Sequence, residues 1–317
     1  MLITNTNNIP FVMQVWLASD NYDYVQGEKY ISATTLLKSV KQIILGSRLD
    51  TADVTQDLSS FIPRKMGDAI HEGIESAWIN NLPQALETLN LSKLKGKFVV
   101  NPEEPVKGKI PVYIEQRGRK VVNGYTIGGK FDFVADGVLH DFKSTSVWTW
   151  IKKGRVEEYV KQGSIYRWLH QDKITEDFLR ICYVFTDWSK AEANRNPSSY
   201  PQCKLIAEEY PLLSLEETEK FIKDKVALID RYWDKPESQI PDCSDEELWR
   251  SETVYKYFSS PTATRATKNF SDMGEALRFQ SSKGGVGYIK TQLGEPRACA
   301  YCNAFPICQQ RKRYVKE

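Results

Sequence analysis

Between Gly128 and Thr145 the chain reads GGKFDFVADGVLHDFKST. Two alternating runs, KFDFVA and VLHDFKS, flank Asp136-Gly137. Alternation at period two marks strands, and an Asp-Gly pair between such runs is the strongest local signal for a tight β-hairpin. A two-residue turn then fixes the register. Ala135 faces Val138, Val134 faces Leu139, Phe133 faces His140 and Asp132 faces Asp141. Carboxylates directly opposite on a ladder repel each other, which calls for a cation between them. Lys143 follows Asp141 by two residues and points to the same face. Phe131, Phe133, His140 and Phe142 form the other face, which reads as core. A slip of one residue would part the two carboxylates.

The rest of the composition sets broad limits. With 317 residues, 41% of them apolar and 26% charged, the chain reads as a soluble globular protein of one large or two small domains. A net charge of +2 says little about partners, so any nucleic-acid surface must be local. The N-terminus has no basic segment followed by an apolar run, so no signal peptide is expected. No stretch approaches 18 consecutive apolar residues, so no membrane span is expected. All six cysteines fall at or after Cys182, unlike a secreted disulfide framework. A reducing, cytoplasmic setting with metal-binding cysteines fits better.

In chain order, Ser32 is expected to cap one helix, SATTLLKSVKQIILGSRL, whose Lys38, Lys41 and Arg48 form either a solvated face or phosphate contacts. A second helical zone, residues 57–80, breaks near Pro63. Its latter half carries an apolar stripe of Met66, Ile70, Ile74 and Trp78, with His71 and Glu75 four apart on one side. Residues 97–100 and 111–117 read as strands, 118–125 as a turn-rich stretch, and 144–150 as a loop. A helix from about residue 155 to 171 places Gln162 and Tyr166 on one face. Residues 177–186 form a buried strand holding Cys182, 187–202 an exposed loop, 204–210 a strand, and 215–233 a strongly periodic helix. Short strand and helix signals fill 252–290. The expected divisions are an N-terminal helical region (1–56), a core (57–235) and a cysteine-bearing C-terminal segment (236–317).

Two groups carry chemistry. Asp132 and Asp141 offer hard oxygen ligands suited to Mg²⁺ or Mn²⁺. Such an ion acidifies a bound water and stabilises charge on a phosphoryl oxygen, while Lys143 orients the water or neutralises charge. An exposed Asp–Asp–Lys patch would give the same pattern. The second group is Cys299-x2-Cys302-x5-Cys308, a compact triad needing a fourth ligand. Cys243, in a loop after Pro241 and Asp242, is the best candidate, ahead of Cys203 and Cys182. Spacing alone leaves Zn²⁺ and an iron–sulfur cluster open.

The order GDAIH (67–71), Asp132, DFK (141–143) and QGSIY (162–166) resembles the PD-(D/E)XK nuclease superfamily, in particular its RecB-like branch. That resemblance implies an α/β fold, a mixed central β-sheet flanked by helices. It implies that His71, Asp132, Asp141 and the Phe142 carbonyl ligate metal and that Lys143 is the catalytic lysine. Gln162 and Tyr166 would lie beside the site, contacting the lysine or the DNA backbone, with Glu75 as an outer support. It further implies that Cys243, Cys299, Cys302 and Cys308 hold a [4Fe–4S] cluster that ties residues 241–308 to the core, with Zn²⁺ as the alternative. In many relatives the distant cysteine precedes the nuclease motifs; here none does, a pattern that resembles phage-encoded RecB-like nucleases. The expected function is a metal-dependent deoxyribonuclease, an exonuclease in phage replication or recombination or in host DNA degradation. A recombinase, single-strand-binding protein or helicase would be its partner, in the host cytoplasm. An endonuclease, a catalytically dead DNA-binding module and a zinc-binding interaction module are the alternatives. The basic stretch RKRY (311–314) and Lys152, Lys153 and Arg155 would line a DNA path, or end in solvent.

Overall fold

The computed structural model describes residues 2–20, 23–25, 27, 29–50 and 54–314. The chain divides into two compact units, Met1–Leu37 with Thr51–Asp230, and Lys38–Asp50 with Arg231–Glu317. The first unit opens with β1 (Leu2–Thr4), α1 (Phe11–Ala18), β2 (Tyr30–Ser32) and α2 (Ala33–Leu36). Next comes α3 (Val40–Arg48), which belongs to the second unit. The chain then re-enters the first unit through β3 (Thr55–Asp57), α4 (Ile62–Asn80), α5 (Leu82–Thr88), β4 (Phe98–Val100), β5 (Ile110–Val122), β6 (Tyr125–Ala135) and β7 (Val138–Thr145). It continues with α6 (Val147–Lys152), α7 (Val156–Leu169), β8 (Phe178–Phe185), α8 (Lys190–Arg195), β9 (Leu205–Pro211) and α9 (Leu215–Tyr232). The second unit is completed by β10 (Val254–Phe258), β11 (Lys268–Phe270), α10 (Met273–Ser282) and β12 (Tyr288–Gln292). No helix among the described residues is long and apolar enough to cross a membrane.

The single helix expected after Ser32 is two helices. Ser32 caps α2 by accepting from the Thr35 amide at 3.1 Å, and Ser39 caps α3 by accepting from the Gln42 amide at 3.1 Å. A serine side chain offers the backbone a local partner that competes with helix continuation. The break sends Leu36 into the first unit while Ile43, Ile44 and Leu45 are buried in the second.

The first unit is built on a mixed sheet in the order β4-β5-β6-β7-β8-β9, with β2 also on β6. Two hairpins of two-residue turns shape its middle. At Asp136-Gly137 the φ angles are 50° and 78°, and at Asn123-Gly124 they are 49° and 79°. Both are the left-handed pairs that match strand twist. The second hairpin makes 118–125 strand–turn–strand rather than the expected turn-rich stretch. Two more segments read as loops are partly helical, α6 after Ser146 and α8 after Ser189, each entered through a serine cap.

The expected register of the first hairpin is observed for Ala135↔Val138, Val134↔Leu139 and Phe133↔His140. The ladder then ends. Beyond His140, β7 continues in parallel register on β8 (Asp141↔Ile181), while further back along β6 the parallel strand β2 pairs at Thr126–Gly128. The sheet therefore forks, with Asp132 and Asp141 just past the last bridged pair. Facing is also altered. Phe131 packs against His170 at 4.7 Å, but Phe133 packs against Trp78 of α4 at 5.0 Å. The two rings do not share one core face as alternation implied. The break falls at Asp132, where β5 skips a bridge at Glu115, whose φ is 53°.

Helices cover both faces of this sheet. On one, Gly163 of α7 lets the helix approach Leu139 and Leu179; on the other, α4 brings Trp78 onto Phe133 and Phe98. Phe133, Val112 and Ile114 are buried together, each worth about 1.5–3 kcal/mol of apolar burial. In the second unit, α3 joins Ile240 and Ala304 in a core against which Tyr232, Cys302 and Cys308 pack. A small antiparallel sheet, β11-β10-β12, carries α10 on one face through Tyr257, Phe270, Ala276 and Phe279.

Candidate active site

The fork in the sheet is where the polar side chains of the first unit converge. From α4, His71 places Nδ1 3.5 Å from Asp132 Oδ1 and Nε2 3.0 Å from the Phe142 carbonyl oxygen. At that distance from a carbonyl, Nε2 is the donor. From β7, Lys143 Nζ donates to Asp141 Oδ1 at 2.9 Å and lies 2.7 Å from Oδ2. That second oxygen, like Asp132 Oδ2, is buried and accepts no hydrogen bond of good geometry. Buried acceptors left over in this way mark strain or a site for an ion.

The charges are strongly coupled through burial. Burial opposes a charged His71, but Asp132 and the Phe142 carbonyl outweigh it and raise the imidazole to about 9. Burial also opposes ionisation of Asp132, yet His71 and the charge of Lys143 hold its carboxyl below the usual range. Asp141 goes the other way. Its burial and the nearby Asp132 charge exceed the relief from Lys143, so its carboxyl is raised. Desolvation opposes a charged Lys143 as well, but Asp141 and Asp132 keep it charged and raise its pKa. A charged ammonium is a donor and counter-charge, not a base.

One contributor is absent from the sequence reading. Glu115 enters through its left-handed backbone turn, and His71, Glu115 and Asp132 each offer a ligand atom within 4.8 Å of the others. Glu115 pairs with Lys130, and burial, opposed by that lysine, raises its carboxyl. Its one sequence signal is being the only acid in the strand IPVYIEQRGRKVV. Glu75, Ile74 and Phe133 line the same small cavity as His71, Glu115 and Asp132.

The ring beside Lys143 is that of Tyr159, with Nζ 5.1 Å from its centroid. Gln162 donates to the Tyr166 hydroxyl at 2.9 Å, and Tyr166 lies against Gly129 of β6. The basic residues named for a DNA path are engaged within the fold. Lys153 pairs with Glu208, Arg155 with Glu158, and Lys152 stacks on the exposed Trp148 at 4.5 Å. In the second unit Arg313 pairs with Asp242 and Arg311 lies over Phe305. Lys41 is only 4% exposed and pairs with Asp242 at 2.6 Å, so it is a buried ion-pair partner and not a phosphate contact.

In the second unit, Cys243, Cys299, Cys302 and Cys308 all line one partly open cavity. Cys182 lies within β8, and Cys203 is exposed before β9. The Ser39 hydroxyl is 3.1 Å from Cys243 Sγ, and Gln310 clamps the Cys243 backbone, accepting from its amide and donating to its carbonyl at 2.9 Å each. Burial pushes the Cys243 thiol up to about 11 and raises Cys299 and Cys302 as well. Among the described residues no three of these sulfurs lie within 4.8 Å of one another. A tetrahedral Zn²⁺, with sulfurs at about 2.3 Å, would hold them about 3.8 Å apart.

No protein-family model matches the chain, and no curated protein matches it. Among solved structures it is similar to that of SSO0001, with a TM-score of 0.41 and 17% identity over 69% of this chain and 84% of that one. It is also similar to a phage-related exonuclease from Haemophilus somnus 129PT, with a TM-score of 0.29 and 16% identity over 67% of this chain and 96% of that one.

Proposed function

We propose that this chain is a divalent-metal-dependent deoxyribonuclease of the PD-(D/E)XK, RecB-like kind, acting as an exonuclease on phosphodiester bonds. The observation that carries the reading is the convergence at the sheet fork. Two carboxylates that each keep one buried oxygen without a well-formed hydrogen bond, a histidine bound to the Phe142 carbonyl, and a charged lysine meet where β6 and β7 part. The donor set is oxygen-rich with one imidazole, which suits Mg²⁺ or Mn²⁺. Asp132, Asp141, the Phe142 carbonyl and His71, through Nδ1 once that nitrogen has given up its proton, would hold the ion, with Glu115 as a further oxygen donor. When bound, the ion supplies Lewis acidity and a water of lowered pKa.

The protein's own groups do the positioning. Asp141 holds the Lys143 ammonium in place. From there the lysine donates to the phosphoryl oxygen on which charge develops, in a site whose burial strengthens that interaction. Tyr159 covers one side of the ammonium. His71 locks the Phe142 carbonyl and with it the spacing of Asp141 and Lys143.

The cysteine cavity belongs to the same proposal, as a [4Fe–4S] site. Four thiols lining one pocket supply the ligand number a cluster needs, with Zn²⁺ as the alternative. Its part is structural, fastening the loop at Cys243 to the C-terminal turns within the second unit.

The deciding experiment uses end-labelled single- and double-stranded DNA, with a closed circle as control. Divalent-dependent loss of the linear forms, abolished in Lys143→Ala and in Asp132→Asn with DNA binding kept, supports the reading. A metal-replete protein that cleaves no DNA form removes it. Cutting of the closed circle makes it an endonuclease.

A further inference from the structure

The small sheet of the second unit has two unlike faces. Tyr255, Tyr257 and Ile289 point to α10 and pack with Phe270 and Phe279. Strand alternation sends Lys256, Phe258, Asn269, Tyr288, Lys290 and Gln292 to the opposite face. There Lys256 sits directly across from Lys290 on one side and Asn269 on the other. The next row pairs Phe258 with Tyr288, stacked at 5.0 Å and 8° between planes, with Tyr288 37% exposed.

This arrangement opposes the sheet's own stability. Like charges directly opposite on a ladder are destabilising, and no residue of the three strands is acidic. Among the described residues neither lysine has a carboxylate partner; Lys268, by contrast, lies over the Phe270 and Phe279 rings on the α10 side. A row of unneutralised lysines beside a row of stacked aromatics is complementary to a flexible polyanion with flat rings. Residues two apart on a strand are about 7 Å apart, a distance one nucleotide bridges from phosphate to base.

We infer that this face is a binding platform for single-stranded nucleic acid. Lys256 and Lys290 take phosphates, and Tyr288, backed by Phe258, stacks a base. Asn269 and Gln292 flank the lysines as polar contacts. The platform is separate from the Asp132 centre, and binding to it requires no cleavage.

The test is fluorescence anisotropy of a labelled 20-nucleotide oligo-dT on the full chain without divalent metal, at several salt concentrations. Lys256→Glu with Lys290→Glu should weaken binding at least tenfold and lower the salt slope by about 1.4, two contacts at roughly 0.7 each. Tyr288→Ala should weaken it at least about fivefold. Asn269→Lys, which extends the lysine row, should tighten binding about threefold and steepen the slope by about 0.7. That gain variant keeps the test decisive if the charge reversals fail to fold. Unchanged affinity and slope in the lysine and Tyr288 variants, or in Asn269→Lys, overturn the inference. Equal affinity for a 20-base-pair duplex, or displacement of the oligonucleotide by poly-glutamate at equal charge, overturns the single-strand assignment. DNA cleavage with lysine-insensitive binding sinks this proposal alone, whereas lysine-dependent binding without cleavage sinks only the nuclease reading.

Discussion

His71 Nε2 lies 3.0 Å from the carbonyl oxygen of Phe142, so a helix side chain is tied to the backbone between Asp141 and Lys143. The rings of the two residues also meet edge to face, with centroids 5.8 Å apart. One histidine thereby spans the two arms of the fork, touching Asp132 on β6 and the Asp–Phe–Lys segment on β7. Removing it loosens both arms and deletes a donor. We expect His71→Ala to raise the Mn²⁺ concentration for half-maximal cleavage at least about tenfold. A metal titration with an unchanged midpoint would assign the histidine to structure alone.

Glu115→Gln tests whether the third member of the cluster is a ligand or only a partner of Lys130. The amide keeps the shape and loses the charge. Metal affinity should fall about tenfold or more while the fold is retained. Isothermal titration with Mn²⁺ reads this directly, and equal affinity in the variant would confine Glu115 to its ion pair.

The hairpin and the pairing of its first three rows were legible because Asp136-Gly137 fixes a two-residue turn and the runs beside it alternate. What lay beyond the third row was not. Whether a ladder continues depends on neighbours far away in sequence, and here β8 and β2 draw β7 and β6 apart. Glu115 was hidden for a related reason, since its approach to His71 follows from a left-handed φ that no local residue signals. In α7, the Gln162–Tyr166 spacing pointed to the helix that also carries Tyr159. Tyr159, three residues before Gln162, is the residue that reaches Lys143, because the helix crosses β6 at Gly129 and β7 nearer its start.

Gly129 is the tight point of that crossing. A Cβ there would sit 2.8 Å from Tyr166 Cε1 and 3.0 Å from Leu169 Cδ1. Gly129→Ala should destabilise the first unit by about 1–3 kcal/mol as the helix is pushed off the strand. Chemical denaturation gives the value, and a change within about 0.5 kcal/mol would show that Tyr166 yields freely.

His170 predicts an acid sensitivity. Burial, with the Lys173 charge adding to it, holds its imidazole down at about 4, against an ordinary 6.5. Between these values the unfolded chain binds the extra proton, so stability falls as pH drops from about 6.5 towards 4. The full effect is on the order of 3 kcal/mol. In His170→Leu, denaturation midpoints should vary less over this window. A dependence identical to that of the parent would place the titration elsewhere.

Cys302→Ser should damage the second unit more than the chemistry of whatever folds. The expected readouts are loss of iron from the purified protein and a lower melting temperature, with about 4–8 °C lost per kcal/mol for a unit of this size. Normal yield, colour and melting would contradict a structural cluster.

The placement of α3 bears on how the protein is made. Its apolar residues Ile44 and Leu45 have their packing partners at Ile240 and Ala304. On a ribosome adding 5–20 residues each second, this helix waits roughly 10–50 s for them to emerge. During that interval a sticky helix stands without its core, a natural ligand for a holding chaperone. Premature termination before Ile240 would leave it permanently uncovered.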